Sequence, residues 1–436
     1  MDLINHFGDG ICECGKSHET TVKDVIIENG AIRKIPEYVK KYNGKKVFVL
    51  ADVNTYSAAG KAVCDVLESA DISYSKYVLA DKELKPDEKT VGSVVMYYDC
   101  ECDLIIGVGS GVINDTAKII AKMADVPYFI VGTAPSMDGY ASATSSMARD
   151  GLKVSLSTKC ADVIIGDIDI LKNAPEKMLS AGLGDMLAKY VSICEWRIAH
   201  IITGEYYCEK IAELIRGALK KCVDNADGLL KRDENAIKAV FEGLVIGGVA
   251  MAYAGISRPA SGVEHYLAHI WDMRSLSKGT KEDLHGIECA IGTFISAQMY
   301  DKLKQIKPDK EKALKCVSEF DFNEWSMELK EFMGSAADTM LAQEAKEQKY
   351  NKEKHAKRID VIIKNWDKII DIVNEELPPA EEIEKLLNKI GAPKMPAEIG
   401  IDNDVIPMTF KASRDVRYKY ILSHLAWDLG ITDEII

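Results

Sequence analysis

Eight histidines occur in 436 residues, and three fall in two short windows: His265 and His269 in SGVEHYLAHIWD, and His285 in DLHGIECAIGT. His265 and His269 are four residues apart, so on a helix they share one face. The run reads E-H-x-x-x-H, without a glutamate between the histidines. It therefore lacks the general base of a helical zinc protease, and hydrolysis loses most of its support. Asp185, in SAGLGDMLAKY, is the third candidate. A carboxylate early in a helix has an ordinary use, since it complements the helix dipole. Beside two imidazoles it would instead complete a site with positions open for water or substrate. Such a site suits Zn²⁺, Ni²⁺ or Fe²⁺. Near the N-terminus, CECGKSH sets Cys12, Cys14 and His18 close together. One reading is half of a zinc site, but CxC with one histidine lacks a fourth ligand and the usual CxxC spacing. A turn leading into the strand of TVKDVIIENG is the plainer reading.

Elements able to carry such residues come from the apolar periodicity. The stretch Asp103 to Ser142 opens with a strand at Leu104 to Ile106 and a glycine turn at Gly107, Gly109 and Gly111. A helical pattern from Asn114, a second strand at Tyr128 to Val131 and a small-residue loop from Gly132 to Ser142 follow. Strand, glycine turn and helix present backbone N–H groups to a phosphate. Glycine admits the ligand to the backbone and permits positive φ. The spacing GxGxG matches the dinucleotide fingerprint only in part. Upstream, Lys45 to Ala51 predicts a strand ending at Asp52, which either meets an adenosine ribose or caps the next helix. Ile72 to Leu79 is another strand, and a helix spans roughly 87–98. MARDGLKVSL predicts a hairpin around Asp150-Gly151, and Ala161 to Gly166 the last strand of the sheet.

Strands alternating with helices imply an α/β domain with a doubly wound parallel sheet, which binds ligands at the carboxyl ends of its strands. From Pro175 the apolar spacing becomes helical, with helices expected at 209–230, 234–254, 262–271 and 287–303. The expected division is a nucleotide-binding domain over 1–172 and an all-helical domain over 173–436. Residues 343–358, QEAKEQKYNKEKHAKR, predict a solvated helix surface.

The net charge of −13 argues against a nucleic-acid or anionic-membrane partner, which basic proteins favour. Eleven cysteines, an odd number with several in apolar runs, point to reduced thiols and a cytoplasmic location. The first residues carry no secretory signal, and no apolar run is read as approaching the roughly 20 residues of a spanning helix.

Several motifs in one order narrow the reading: GVGSGVINDTAK, GTAPSMDGYAS, GLGDMLAKY, SRPASGVEH, LHGIECAIGT and SRDVRYKYILSHLAWDLG. Through them the chain resembles the glycerol-1-phosphate dehydrogenases, within the iron-containing alcohol dehydrogenase and dehydroquinate synthase-like superfamily. CECGKSH looks like the bacterial branch. The resemblance implies NAD, or NADP, one divalent metal ion and a small phosphorylated substrate, with a homodimer as the assembly and phospholipid biosynthesis as the setting. Around Gly109, the turn Gly111, Val112, Ile113, Asn114 and Asp115 would hold the pyrophosphate. Thr133, Ala134, Pro135, Ser136 and Ser142 would complete the cofactor site, and Asp52 would meet the ribose. Asp185, His265 and His285 would bind the metal, Asp138 would contact the substrate, and His269 would stand behind a ligand or face the substrate. A further expectation places the substrate phosphate on Ser257-Arg258-Pro259 and the helix start at Ser261-Gly262. The turn departs from the triple glycine common in the superfamily. The rival readings are a glycerol or polyol dehydrogenase, a dehydroquinate synthase-type cyclase and a non-catalytic metal or nucleotide sensor.

Overall fold

The computed structural model describes residues 4, 6–7, 10–81, 84–149 and 152–436. Among the described residues, eight strands follow one another: β1 (Asp24–Glu28), β2 (Lys46–Asp52), β3 (Ser73–Leu79), β4 (Leu104–Gly109), β5 (Tyr128–Gly132), β6 (Thr144–Arg149), β7 (Leu152–Ser157) and β8 (Val163–Asp167). Six form one parallel sheet in the order β1-β8-β5-β4-β2-β3. Strands β4, β5 and β8 are buried along their whole length, as continuous apolar runs in a sheet covered on both faces should be. Helices α1 (Ile35–Lys41), α2 (Lys61–Ser69), α3 (Glu88–Tyr97) and α4 (Gly111–Ala124) alternate with the strands. The last strand in sequence, β8, is not the last in space. It lies between β1 and β5, and the N-terminal strand takes the edge. Strands β6 and β7 pair antiparallel outside the sheet, as the hairpin reading requires, while its turn at Asp150-Gly151 lies outside the described residues.

The chain divides into two compact units, Met1–Met186 with Glu213–Ile256, and Leu187–Ala212 with Ser257–Ile436. Two stretches beyond residue 172, 173–186 and 213–256, therefore group with the sheet. Helices α5 (Glu176–Thr203) and α6 (Glu209–Asp224) each run across a boundary, and α7 (Glu234–Ala254) belongs wholly with the sheet. The reason is visible at Phe241 of α7. A Cβ added at Gly132 or Gly166 would lie 2.8 or 2.4 Å from its ring, so these strand-end glycines make room for the helix. Helix α7 also corrects the expectation about apolar runs. Its 21 residues have the length and composition to cross a bilayer, yet 83% of that apolar window is buried inside the protein.

The second unit contains no strand among the described residues. Its helices include α8 (Val263–Lys278) and α9 (His285–Leu303), which pack against each other. A Cβ on Gly292 of α9 would sit 2.5 Å from the Glu264 carbonyl oxygen, so that glycine sets their close approach. The charge run at 343–358 is more than a solvated surface. It is broken at Gln348, whose φ is +54°, and three of its members reach inward. Lys349 Nζ donates to the Arg414 carbonyl at 2.6 Å, His355 Nε2 lies 2.8 Å from the Asp428 carbonyl, and Arg358 forms a two-pronged pair with the Asp428 carboxylate.

Candidate active site

In the sheet unit, β4 ends at Gly109 and α4 starts at Gly111, three residues before the expected Asn114. Ser110 is the N-cap but does not cap with its side chain; its hydroxyl lies 2.5 Å from that of Ser136. The N–H groups of Gly111, Val112 and Ile113 thus face outward at the positive end of a 14-residue helix, a natural anion seat. None of Gly107, Gly109 and Gly111 has positive φ, so the conformational reason for glycine does not hold here. Crowding is the reason. A Cβ on Gly109 would fall 2.6 Å from that of Ile113, and one on Gly107 would fall 2.9 Å from the Tyr128 hydroxyl. At Gly111 the nearest atom is 3.8 Å away, which leaves space at the helix start.

Two buried side chains of α4 fix the small-residue loop beside that start. Asn114 Nδ2 and Lys118 Nζ donate to the Gly139 carbonyl at 2.9 and 2.7 Å, and the Tyr128 hydroxyl donates to Asn114 Oδ1. Asn114 therefore shapes the loop. Thr133 N donates to the Gly109 carbonyl at 3.1 Å, and the Tyr140 hydroxyl to that of Ala134 at 2.6 Å. Gly182 of α5 touches this loop so closely that a Cβ would lie 1.7 Å from the Pro135 oxygen. The contact brings two of the expected acids together: Asp138 N donates to Asp185 Oδ2 at 2.9 Å, and Asp185 is fully buried. Asp115 is turned towards the hairpin, with Oδ2 accepting from Ser146 N at 3.2 Å. Its carboxyl is raised by burial, against the pull of Lys118. Ser142 Oγ accepts from Thr144 N at 3.1 Å. Asp52 does cap its helix: Oδ1 accepts from Asn54 N and Thr55 N at 2.7 and 2.9 Å.

In the helical unit, His265 and His269 of α8 face His285, the first residue of α9. The His265 and His285 rings are 5.1 Å apart, and those of His269 and His285 are stacked at 5.7 Å. His265 Nδ1 lies 2.7 Å from Glu264 Oε1, an acceptor, so Nδ1 carries the proton and Nε2 is the nitrogen available to a metal. Glu264 Oε2 is buried without a hydrogen-bond partner among the described residues. Cys289 Sγ stands 3.5 Å from His285 Nε2. Donor atoms of His265, His285 and Cys289 lie within 4.8 Å of one another, as do those of His269, Asp272 and His285. His269 thus shares His285 with a second donor group. Burial pushes the Cys289 thiol up, but His265 and His285 outweigh it and the net shift is downward. One buried and two half-buried imidazoles with a thiol and a carboxylate fit a borderline divalent ion such as Zn²⁺, Ni²⁺ or Fe²⁺. Sequence reasoning missed Glu264, Asp272 and Cys289. The spacing H-x-x-x-C over 285–289, one helical turn, was the available signal for the thiol.

The expected phosphate seat is a correction. Arg258 is buried, its Nε and Nη2 are 2.8 and 2.5 Å from the two Glu205 oxygens, and its Nη1 donates to the Tyr420 carbonyl. Each of the three guanidinium nitrogens thus has a protein partner. At the start of α8, Gly262 N donates to Glu264 and Val263 N to Glu195 Oε2, so carboxylates already fill the place of an anion. Glu195 is held well above the usual carboxylate range by burial and then by the charge of Glu264. Lys419 donates to the Ser257 and Ser261 carbonyls, tying the segment to the interior. Its ammonium pKa is brought down by burial and then by Arg258.

Residues 26–175 match the family described as iron-containing alcohol dehydrogenase. The chain is 33% identical over 293 residues to a glycerol-1-phosphate dehydrogenase [NAD(P)+] from Halalkalibacterium halodurans, covering 66% of this chain and 73% of that one. A protein of the same name from Geobacillus thermodenitrificans is 27% identical over 409 residues, covering 93% and 92%. Among solved structures, the archaeal halo-thermophilic Red Sea brine pool alcohol dehydrogenase shares the fold, with a TM-score of 0.62, 14% identity and coverage of 97% and 99%.

Proposed function

We infer the activity of this chain from the family to which it belongs, the glycerol-1-phosphate dehydrogenases. It is an oxidoreductase acting on a CH–OH group, interconverting dihydroxyacetone phosphate and sn-glycerol 1-phosphate with NAD or NADP and a divalent metal ion. Kinship over 93% of the chain supports the substrate. The observation that carries the chemistry is His265, its Nδ1 engaged by a buried carboxylate and its Nε2 set among further donors on α9.

When bound, the metal polarises the reacting oxygen and lowers the pKa of the hydroxyl, while the nicotinamide gives or takes hydride. Asp185, His265 and His285 are the ligands we propose. Glu264 holds the His265 proton on Nδ1 and strengthens Nε2 as a donor. The backbone N–H groups at Gly111, Val112 and Ile113 bind the pyrophosphate, with Gly109 beneath them. Thr133, Ala134, Pro135, Ser136 and Ser142 line the cofactor, Asn114 holds that loop, and Asp115 holds the adjoining hairpin. Asp52, capping through Oδ1, offers Oδ2 to the ribose and repels a 2′-phosphate, which favours NAD. Asp138 orients the substrate hydroxyls, and His269 serves the substrate side of His285. The same resemblance supports a cytoplasmic homodimer, and the acidic net charge supports the exclusion of nucleic-acid and membrane partners.

The test is reconstitution. Metal-free protein should not oxidise NADH with dihydroxyacetone phosphate, and Zn²⁺, Ni²⁺ or Fe²⁺ should restore turnover. Inactivity with all three ions would overturn the reading.

A further inference from the structure

We propose that Cys12, Cys14 and His18 form a second metal site, structural in character and built for Zn²⁺, that fastens the N-terminal loop onto the end of α7. Their donor atoms lie within 4.8 Å of one another. Cys14 Sγ is 3.2 Å from His18 Nε2, and His18 Nδ1 is 2.9 Å from the Tyr253 carbonyl of α7. A carbonyl only accepts, so Nδ1 holds the proton and Nε2 turns its lone pair towards the sulfur atoms. A main-chain carbonyl holding the rear nitrogen is how metal-bound imidazoles are usually oriented. A hydrogen bond between Cys14 and His18 would explain one thiol; it would not explain the convergence of Cys12 on the same point.

The backbone supports the same conclusion. Gly15 N donates to the Cys12 carbonyl at 2.8 Å, and Cys12 N to the Lys16 carbonyl at 2.9 Å, closing a tight loop. Gly15 has φ +84° with open space around a Cβ, so glycine is needed there for conformation alone. This turn compensates for the short CxC spacing. Neither cysteine is in a disulfide, and His18 is buried, packed 4.5 Å from the Phe7 ring, which in turn meets the Tyr253 ring edge-on at 4.9 Å. Two thiolates and an imidazole are three donors of a tetrahedral zinc centre, and the fourth position goes to water or another donor. Binding releases the two thiol protons. The proposal does not depend on the dehydrogenase reading.

Metal counting by mass spectrometry on protein saturated with Zn²⁺ and desalted tests it. Two zinc ions per chain are expected in the wild type, falling to one in the Cys12→Ser/Cys14→Ser double variant and in His18→Asn. A zinc count in the double variant equal to that of the wild type would overturn the proposal, whatever the activity and whatever the helical site holds. If the double variant does not fold, zinc-edge X-ray absorption of Cys289→Ser decides, because that variant removes the thiol beside His285. A sulfur shell at about 2.3 Å supports the N-terminal site, and a shell of nitrogen and oxygen alone overturns it.

Discussion

The N-terminal loop takes its three donors from residues 12–18, whereas the helical set takes His265 from one helix and His285 and Cys289 from the next. In the loop a single glycine turn converges the donors, and two of them are soft sulfur atoms. In the helical set the geometry rests on the packing of α8 against α9, and a buried carboxylate tunes one imidazole. On the two proposals above, an ion in the first would contribute folding energy, and one in the second would be held ready for chemistry. Breaking each separately should therefore have opposite consequences.

The largest effect is expected at His265→Ala, with turnover falling about a thousandfold, the several kcal/mol that a Lewis acid contributes. Steady-state rates at saturating Zn²⁺ check it. Glu264→Gln keeps the ligands but weakens the support, and metal affinity should fall about 10–100-fold in a competitive chelator titration. Arg258→Ala should act on stability, because it strands the Glu205 carboxylate. Glu205 is partly exposed, so the loss is on the order of 2–3 kcal/mol, below that of a fully buried pair; urea denaturation measures it. Gly109→Ala should cost about 1–3 kcal/mol through the clash with Ile113, whereas Gly111→Ala should leave stability nearly unchanged and raise KM for NADH. The smallest effect on catalysis is expected at the N-terminal site. Cys12→Ser/Cys14→Ser should lower the melting temperature while changing turnover by less than about twofold, because a structural site supplies no chemistry.

What the sequence revealed follows the range of the forces involved. The strand–turn–helix from Leu104 and the limits of α7 were legible because apolar periodicity is local. So was the capping use of Asp52, one of two readings held open. The partner of α7 was not legible, since periodicity shows that a helix has an apolar face and not which face covers it; Phe241 on Gly132 and Gly166 settles that. Arg258 looked like a phosphate ligand because Glu205 and Tyr420 are distant in sequence. The charge run looked solvated because Asp428 and Arg414 lie far downstream of it. Long-range polar partners are where pattern reading fails.

The central claim, a dehydrogenase for a phosphorylated triol, is tested most directly by comparing kcat/KM for dihydroxyacetone phosphate and dihydroxyacetone on the same metal-replete preparation with NADH. The account predicts turnover of the phosphate ester with little or none of the free ketone. Equal turnover of both, or preference for dihydroxyacetone, would contradict it and assign the chain to the polyol dehydrogenases.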